Sequence, residues 1–439
     1  MRRIFLFAAL LLGSLAARAQ QGPWTLADCI QYALDHNLTV QQSALSVEQR
    51  EVELNSAQAR RLPSLSASAS ENLSFGRGLT ADNTYSNSNT TSTSFSLGGE
   101  IPVFQGFDIT NGIKLSKLNL AAATADLEKA RDDIRVAVAQ AYVQILYNQE
   151  LLRVAREQTS HDAELLEQIR ERLSAGKVSA AEVSAQQATL AQSRQSEIQA
   201  EGNLQVSLLD LTQLLELPSP EGFSVVAPET GDLSTVLLMR PEAIYEEAVA
   251  VKPAVEAARL NVDYAELNIA RAKGARLPSL SLNGGLGTNY YTNSKFASAP
   301  FGEQMKNNFS QYLGLSMSIP IFQRFSIRNN IRTAQLQHRG QQIQLESVKK
   351  ALYKEIQQAY YNAVTAQARL AGSRESAASA KQHYELTEEK YKVGKAGVAD
   401  YNDARNSWLR AESEHIQARF QCLYQTKLLD FYRGKPLDF

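Results

Sequence analysis

The sequence has little of what special chemistry is built from. Two of its 439 residues are cysteine, Cys29 and Cys422. That is too few for a disulfide scaffold or a cysteine-held zinc site, although the two could pair with each other in an oxidising compartment. Five histidines (His36, His161, His338, His383, His415) are scattered without ligand-like spacing. No single sign of charge dominates. Lys and Arg number 45 against 46 Asp and Glu, a net charge of −1, which argues against a nucleic-acid binder with its basic face. Glycine (23) and proline (12) make about 8% of the chain, below the usual share of roughly 12%. Nucleophile-elbow, HExxH, P-loop and CxxC patterns are absent, and the Gly284-Gly285-Leu286-Gly287 run lies in a strand-like stretch, not before a helix. No enzyme, cofactor or metal reading follows from this inventory. Hydrophobic residues at 44% and charged residues at 21% are ordinary, so the chain is expected to fold.

What is present begins at the N-terminus. Arg2 and Arg3 precede an apolar run from Ile4 to Leu12, and Ala17-Arg18-Ala19 gives a small-x-small cleavage pattern. This predicts a secretory signal peptide over residues 1–19. No cysteine follows the cleavage site to take a lipid. Removal of Arg2, Arg3 and Arg18 takes the net charge from −1 to −4. Beyond this segment no apolar run reaches the ~18–20 residues of a transmembrane helix.

The rest of the chain is written twice. Arg61-Leu62-Pro63-Ser64-Leu65-Ser66 recurs as Arg276-Leu277-Pro278-Ser279-Leu280-Ser281. Ile101-Pro102-Val103-Phe104-Gln105-Gly106-Phe107 recurs 218 residues on as Ile319-Pro320-Ile321-Phe322-Gln323-Arg324-Phe325. Gln140-Ala141-Tyr142 and Gly176-Lys177 recur at the same offset, as Gln358-Ala359-Tyr360 and Gly394-Lys395. Residues 103–217 and 321–435 both lack proline. Two homologous repeats are expected, over 20–217 and 253–435, joined by a proline-bearing linker over 218–252.

Periodicity shows what each repeat holds. Leu352, Ile356, Ala359, Ala363, Ala366, Leu370, Ser373, Ala377, Ala380, Tyr384, Thr387 and Tyr391 step by four and three, the 3.5-residue repeat of a supercoiled helix. The first repeat keeps that register from Ile134 to Leu173, with Asn148, Thr159 and Asp162 as polar breaks. Small knobs predict close helix approach. A helix over 107–173 would be roughly 100 Å long, about three times a small domain's diameter. Its counterpart covers about 325–391. Gly176 and Gly394 break the pattern, and returning helices follow over about 178–215 and 397–433. Shorter helical stretches near 38–61 and 253–275 supply the remaining length.

Between these helices lie four strand candidates, over about 62–101 and 277–319. Leu65, Ala67, Ala69, Leu73 and Phe75 alternate with Ser64, Ser66, Ser68, Ser70 and Ser74; Phe95, Leu97 and Ile101 alternate with Ser94, Ser96 and Gly98. Leu280, Leu282, Leu286, Tyr290, Leu313, Leu315, Met317 and Ile319 repeat the pattern. Each is expected to be about ten residues long with one polar face, as a membrane barrel strand requires. Glu71 breaks the apolar face. Residues 76–93 and 291–310, rich in Asn, Ser, Thr and Gly, are expected as loops. Four strands cannot close a barrel, so edges stay open unless copies join.

This duplicated order of helix, strand pair, very long helix, glycine turn and returning helix resembles the TolC family of outer-membrane efflux proteins, over about residues 24–433. The resemblance implies a mainly α chain with a small transmembrane β part, made of long coiled-coil hairpins and four strands. It implies a homotrimer in the cell outer membrane, with a 12-stranded β-barrel in the lipid on a 12-helix α-barrel reaching through the periplasm. Export through it is passive, driven by an inner-membrane transporter acting through a periplasmic adaptor protein.

The resemblance also assigns residues. The glycine turns become adaptor-docking tips, formed by Leu173, Gly176, Lys177, Val178, Val393, Gly394, Lys395 and Ala396. A plain helix C-cap explains the glycines as well, and the two readings are compatible. Six residues beyond each glycine stands an acid, Glu182 and Asp400, and Asp403 shares a helix face with Asp400. In a trimer these would line a periplasmic gate that concentrates cations; solvated helix-face carboxylates are the alternative. Family members can carry an arginine two residues past the second turn glycine, where this chain has Ala396. Two rival readings stand beside the channel for small molecules: a soluble periplasmic or secreted coiled-coil structural protein, and a channel for polypeptides. The C-terminal Phe439 has no strand before it and carries no argument.

Overall fold

The computed structural model describes residues 22–79, 83–227, 237–295 and 297–438; the expected signal peptide and Phe439 lie outside them. Helix α1 (Leu26–His36) starts where Thr25 caps it. The Thr25 hydroxyl accepts from the Asp28 N–H at 3.2 Å, and the Asp28 carboxylate accepts from the Thr25 N–H at 3.1 Å, a reciprocal capping box. Helix α2 (Leu38–Ala59) follows, then strands β1 (Ser64–Leu79) and β2 (Tyr85–Gln105). The long helix α3 (Asp108–Ser174) and its return α4 (Ala180–Leu214) complete the first set. The second set is α5 (Pro241–Val251), α6 (Pro253–Gly274), β3 (Ser279–Asn293), a short α7 (Phe301–Asn307), β4 (Ser310–Ser318), α8 (Ser326–Lys392) and α9 (Val398–Tyr432). Pro241 stands at the first helical position of α5, where its missing N–H costs nothing.

The two sets superimpose in sequence to the residue. Adding 215 to the bounds of α1 and α2 gives those of α5 and α6, and adding 218 to those of α3 and α4 gives those of α8 and α9. Two expectations need correction. The stretch 218–252 is not simply linker, because it holds α5, and Val225 forms a parallel bridge with Trp24. The strands are also longer than about ten residues. β1, β2 and β3 have 16, 21 and 15 residues, and β4 has 9. Much of the expected loop over 76–93 is therefore strand, and 291–310 contains the end of β3 and α7. The Thr, Ser and Asn there keep the two-residue alternation, and backbone pairing continues without an apolar face.

The chain forms two compact units, each drawing on both repeats. One comprises residues 1–45, 125–256 and 347–439, and among its described residues the regular elements are helices, with the single Trp24–Val225 bridge besides. Its interior holds Val138, Tyr142, Ile145, Leu146, Leu211, Ile244 and Ile356, all nearly or fully buried. The Tyr142 hydroxyl donates to the Val226 carbonyl at 2.6 Å, with the Trp24 carbonyl 3.1 Å away. One long-helix tyrosine thus holds both strands of that bridge, and burial pushes its own pKa up. Cys29 and Cys422 are buried thiols, not a disulfide; burial lifts Cys29 to about 12.

The other unit comprises residues 46–124 and 257–346 and centres on one antiparallel sheet in the order β1-β2-β3-β4. β1 pairs Ser64 with Glu100, β2 pairs Leu97 with Leu286, and β3 pairs Ser279 with Ser318. β2 bulges between Pro102 and Phe104, a place where proline is tolerated because the ladder is already interrupted. The recurring Phe-Gln-x-Phe segments make the corners from strand to long helix. Gly106 and Phe107 take φ of 57° and 63°, and Arg324 and Phe325 take 49° and 62°. The Phe104–Phe107 and Phe322–Phe325 rings meet edge to face at 5.2 and 5.5 Å. Such contacts offset part of the left-handed strain. Below the first corner, Arg60 and Arg271 both donate to Asp108, at 2.8 and 2.6 Å, and hold its carboxyl below the usual range against the burial that raises it.

Candidate functional site

The site expected from sequence lies at the two turns that end α3 and α8. Both are built from the same backbone bonds. The Gly176 N–H donates to Leu173 O at 2.9 Å and the Lys177 N–H to Arg172 O at 2.9 Å. In the second turn Gly394 donates to Tyr391 O at 3.0 Å and Lys395 to Lys390 O at 2.8 Å. This is the Schellman arrangement, which satisfies the last helical carbonyls and needs a left-handed residue just past the helix end. Gly176 and Gly394 fill that position with φ of 70° and 75°. A Cβ at either glycine would meet nothing within 4 Å, so the demand for glycine is conformational and not one of space.

Of the eight residues expected at the tips, Leu173, Gly176, Lys177, Val393, Gly394 and Lys395 are exposed. Val178 and Ala396 are half-buried and face the other way. They pack against a cluster of Leu165, Ile169, Tyr384, Tyr391 and Tyr401, together with Val183, Val398 and Trp408. Side chains from both hairpins meet there, and the Arg172 guanidinium lies 5.4 Å above the Tyr391 ring, a cation–π contact. The apolar choice at Ala396, where an arginine was the family alternative, fits this packing.

The three acids are placed differently from one another. Glu182 is half-buried and closes a capping box on α4. Its carboxylate accepts from the Ser179 N–H at 3.2 Å, while the Ser179 hydroxyl accepts from the Glu182 N–H at 3.3 Å. Asp400 makes half of that arrangement, accepting from the Gly397 N–H at 3.2 Å; glycine has no hydroxyl to return the bond. Asp400 and Asp403 are exposed and line one open groove with His383, Lys390 and Lys395. The acidic pair therefore faces basic groups from its own hairpin.

A polar cluster not singled out as a site lies deeper between the hairpins. Asp162 on α3 and Arg405 on α9 form a direct ion pair with side chains 0% and 4% exposed. Gln186 and Ser193 of α4 donate to the same carboxylate, and Arg405 also donates to the Gln158 carbonyl at 3.1 Å. Beside it the His161 ring is hydrogen-bonded to the Tyr401 hydroxyl, which lies 3.1 Å from that of Tyr384. Burial, and then the Arg405 charge, hold His161 below its ordinary pKa. The polar break at Asp162 was visible in the heptads. Its partner was not, and the missing signal was a basic residue in the buried stripe of α9. Among the described residues no group of three or more His, Cys, Asp or Glu is arranged to hold a metal ion, and no helix is long and apolar enough to cross a membrane.

The family model described as outer membrane efflux protein matches residues 29–216 and 244–434. The chain belongs to that family. It is an outer-membrane efflux protein, from a family of transport proteins and not of enzymes. The soluble structural rival falls with that assignment. Outer membrane protein TolC of Escherichia coli (strain K12) is 26% identical over 360 residues, covering 79% of this chain and 71% of that protein. The fold matches VceC of Vibrio cholerae with a TM-score of 0.76 at 17% identity, over 94% of this chain and 97% of that one. It also matches the Campylobacter jejuni CmeC outer membrane channel, with a TM-score of 0.76 at 20% identity, over 94% and 86%.

Proposed function

We propose that this outer-membrane efflux protein works as a homotrimer, the exit duct of a three-part export system. A periplasmic adaptor docks on the two glycine turns, and an inner-membrane transporter supplies the energy through it. The observation that carries the docking assignment is the pair of congruent Schellman turns. Each presents an exposed Gly-Lys step on the same backbone; the nearby exposed apolar side chain differs in place, with Leu173 three residues before its glycine and Val393 one residue before its own. An adaptor needs a surface of fixed shape that recurs around a ring, and two like turns per chain supply it. Small molecules are the proposed cargo in preference to polypeptides. Asp400 and Asp403 form the proposed cation-selecting gate, with Glu182 contributing charge while serving as a cap. The decisive experiment replaces Gly176 or Gly394 by valine in the full-length protein. Forcing a β-branched residue into the left-handed region costs about 1–2 kcal/mol and reshapes the tip. Export is expected to fall at least tenfold while detergent-extracted trimers persist; normal export from both variants would remove the docking assignment.

A further inference from the structure

The duplication fixes how the open edges of the sheet meet. We infer that β4 of one copy pairs antiparallel with β1 of the next in a register set by residue number, with Leu313 facing Leu73, Ser316 facing Ser70 and Met317 facing Ala69. The inference rests on the trimeric reading above and goes beyond it, because assembly alone leaves the register free.

The first support is that the offsets already reproduce one observed register. Ser64 pairs with Glu100. Moving the first by 215 and the second by 218 gives Ser279 and Ser318, which are paired in β3–β4. The junction between repeats within the chain is β2–β3, where Phe95 faces Thr288, Gly98 faces Gly285 and Gly99 faces Gly284. Carrying β2 forward by 218 and β3 back by 215 turns these into the three pairs proposed.

The second support is the match of faces. Directly opposed residues in a sheet share a face, and a slip of one residue exchanges the faces. The proposed register sets Leu313 and Met317 beside apolar Leu73 and Ala69. It sets Ser316 beside Ser70, whose hydroxyl already lies 2.7 Å from that of Ser94. Exposure agrees. On the edge strands Leu65, Leu313 and Leu315 are 74%, 78% and 66% exposed, whereas Leu97 and Leu286 on the inner strands are 39% and 41% exposed. An edge with unmet N–H and C=O groups cannot face lipid, and a second copy is the occupant whose pattern fits.

The same arithmetic shows where the seam between copies departs from the one within the chain. Gly106 and Gly274 approach so closely that a Cβ on either would lie 2.4 or 2.2 Å from the other's carbonyl oxygen. Their counterparts at the seam are Arg324 and Ala59. Both carry a Cβ, so the corner there must stand further apart. The Arg60–Asp108–Arg271 clamp maps onto Ala275, Ser326 and Ser56 and has no charged counterpart. The strands repeat and the corner beneath them is looser.

Cysteine cross-linking in the full-length, detergent-extracted protein tests the register. Within one chain β1 and β4 are three strand spacings apart, about 14 Å, beyond the ~7 Å limit for a disulfide, so any link joins two copies. The double variant Leu313→Cys with Leu73→Cys is expected to give a covalent trimer on oxidation, as is Ser316→Cys with Ser70→Cys on the other face. Leu313→Cys combined with Glu71→Cys or Phe75→Cys, each shifted by two, should give less than a tenth as much. A stronger link at either shifted position overturns the register, and so does no link in any variant while sizing still shows trimers. A single-copy size for the unsubstituted protein in detergent overturns the trimer itself, a separate result.

Discussion

The two hairpins have equal helices and like turns but different material in their seams. Along α3 the heptad positions hold Ile145, Asn148, Thr159 and Asp162, where α8 has Ala363, Ala366, Ala377 and Ala380. On the returning helix α9, Ala404, Ala411 and Ala418 recur every seven residues and are buried. Ala366 and Leu370 of α8 pack directly against Ala418 and Cys422 of α9. Alanine lets helix backbones approach closely and carries no polar obligation. The first hairpin instead buries groups that need partners: Asn148 donates to the Asn203 carbonyl at 3.2 Å, and Asp162 reaches Arg405. The second hairpin leans more on close alanine packing, although the Tyr384 and Tyr401 hydroxyls lie 3.1 Å apart and Ser373 reaches His415 at 3.3 Å; the first is tied by buried polar groups that also reach its neighbour.

The comparison is most directly broken at the ion pair. Asp162→Ala leaves Arg405 buried without its counter-charge and is expected to cost about 3–5 kcal/mol, read as a lowered midpoint in denaturant unfolding of the detergent-solubilised protein. Asp162→Leu together with Arg405→Met should recover most of that loss. Additive losses in the double variant would show that the two residues act separately.

A smaller effect is expected where the returning helices end. Glu216 and Gly434 occupy equivalent left-handed positions, with φ of 57° and 85°. Gly434→Ala should cost about 1–2 kcal/mol through backbone strain, since its added Cβ meets only Val251 at 3.4 Å. Glu216→Gly should change stability by less than that, because relief of strain is offset by loss of the carboxylate that accepts from the Leu38 N–H at 3.2 Å. Paired unfolding curves measure both, and a gain above 2 kcal/mol for Glu216→Gly would contradict this balance.

The smallest effects belong to the caps that follow the turns. Ser179→Ala should cost about 1 kcal/mol by removing the capping hydroxyl, and Gly397→Ser should gain a few tenths by supplying one. The Cβ at residue 397 has room, with Asp400 Oδ2 3.6 Å away. No loss at residue 179 together with no gain at residue 397, read from unfolding curves, would mean that the surroundings, and not the cap, set the energy.

Much of this was legible in the residues. Recurrence of Pro63 and Pro278, Gly176 and Gly394, and the alanine heptads placed the long helices to within a residue or two, because period and punctuation are local properties. The strand ends were not legible. Asn, Ser and Thr read as loop when alone, yet they extend β1 and β2 once a neighbouring strand offers its ladder. At the tips, sequence gave the turn glycines but not the inward packing of Val178 and Ala396, since which way a turn residue points depends on the tyrosines that α8 and α9 bring from far along the chain. Arg405 escaped for the same reason: its partner lies 243 residues away.

The equal spans of α3 and α8, both 67 residues, make each long helix a ruler. Deleting one residue from one of them would draw its turn back by about 1.5 Å and rotate it by roughly 100°, throwing it out of phase with its twin. Inserting seven would restore the buried stripe yet push that turn forward by about 10.5 Å. Tolerated changes of length are therefore expected to come in heptads and in both helices together. The connections from β1 to β2 and from β3 to β4, the second of which carries α7, have no such gauge, and the three-residue difference between the two repeats falls between the paired strands.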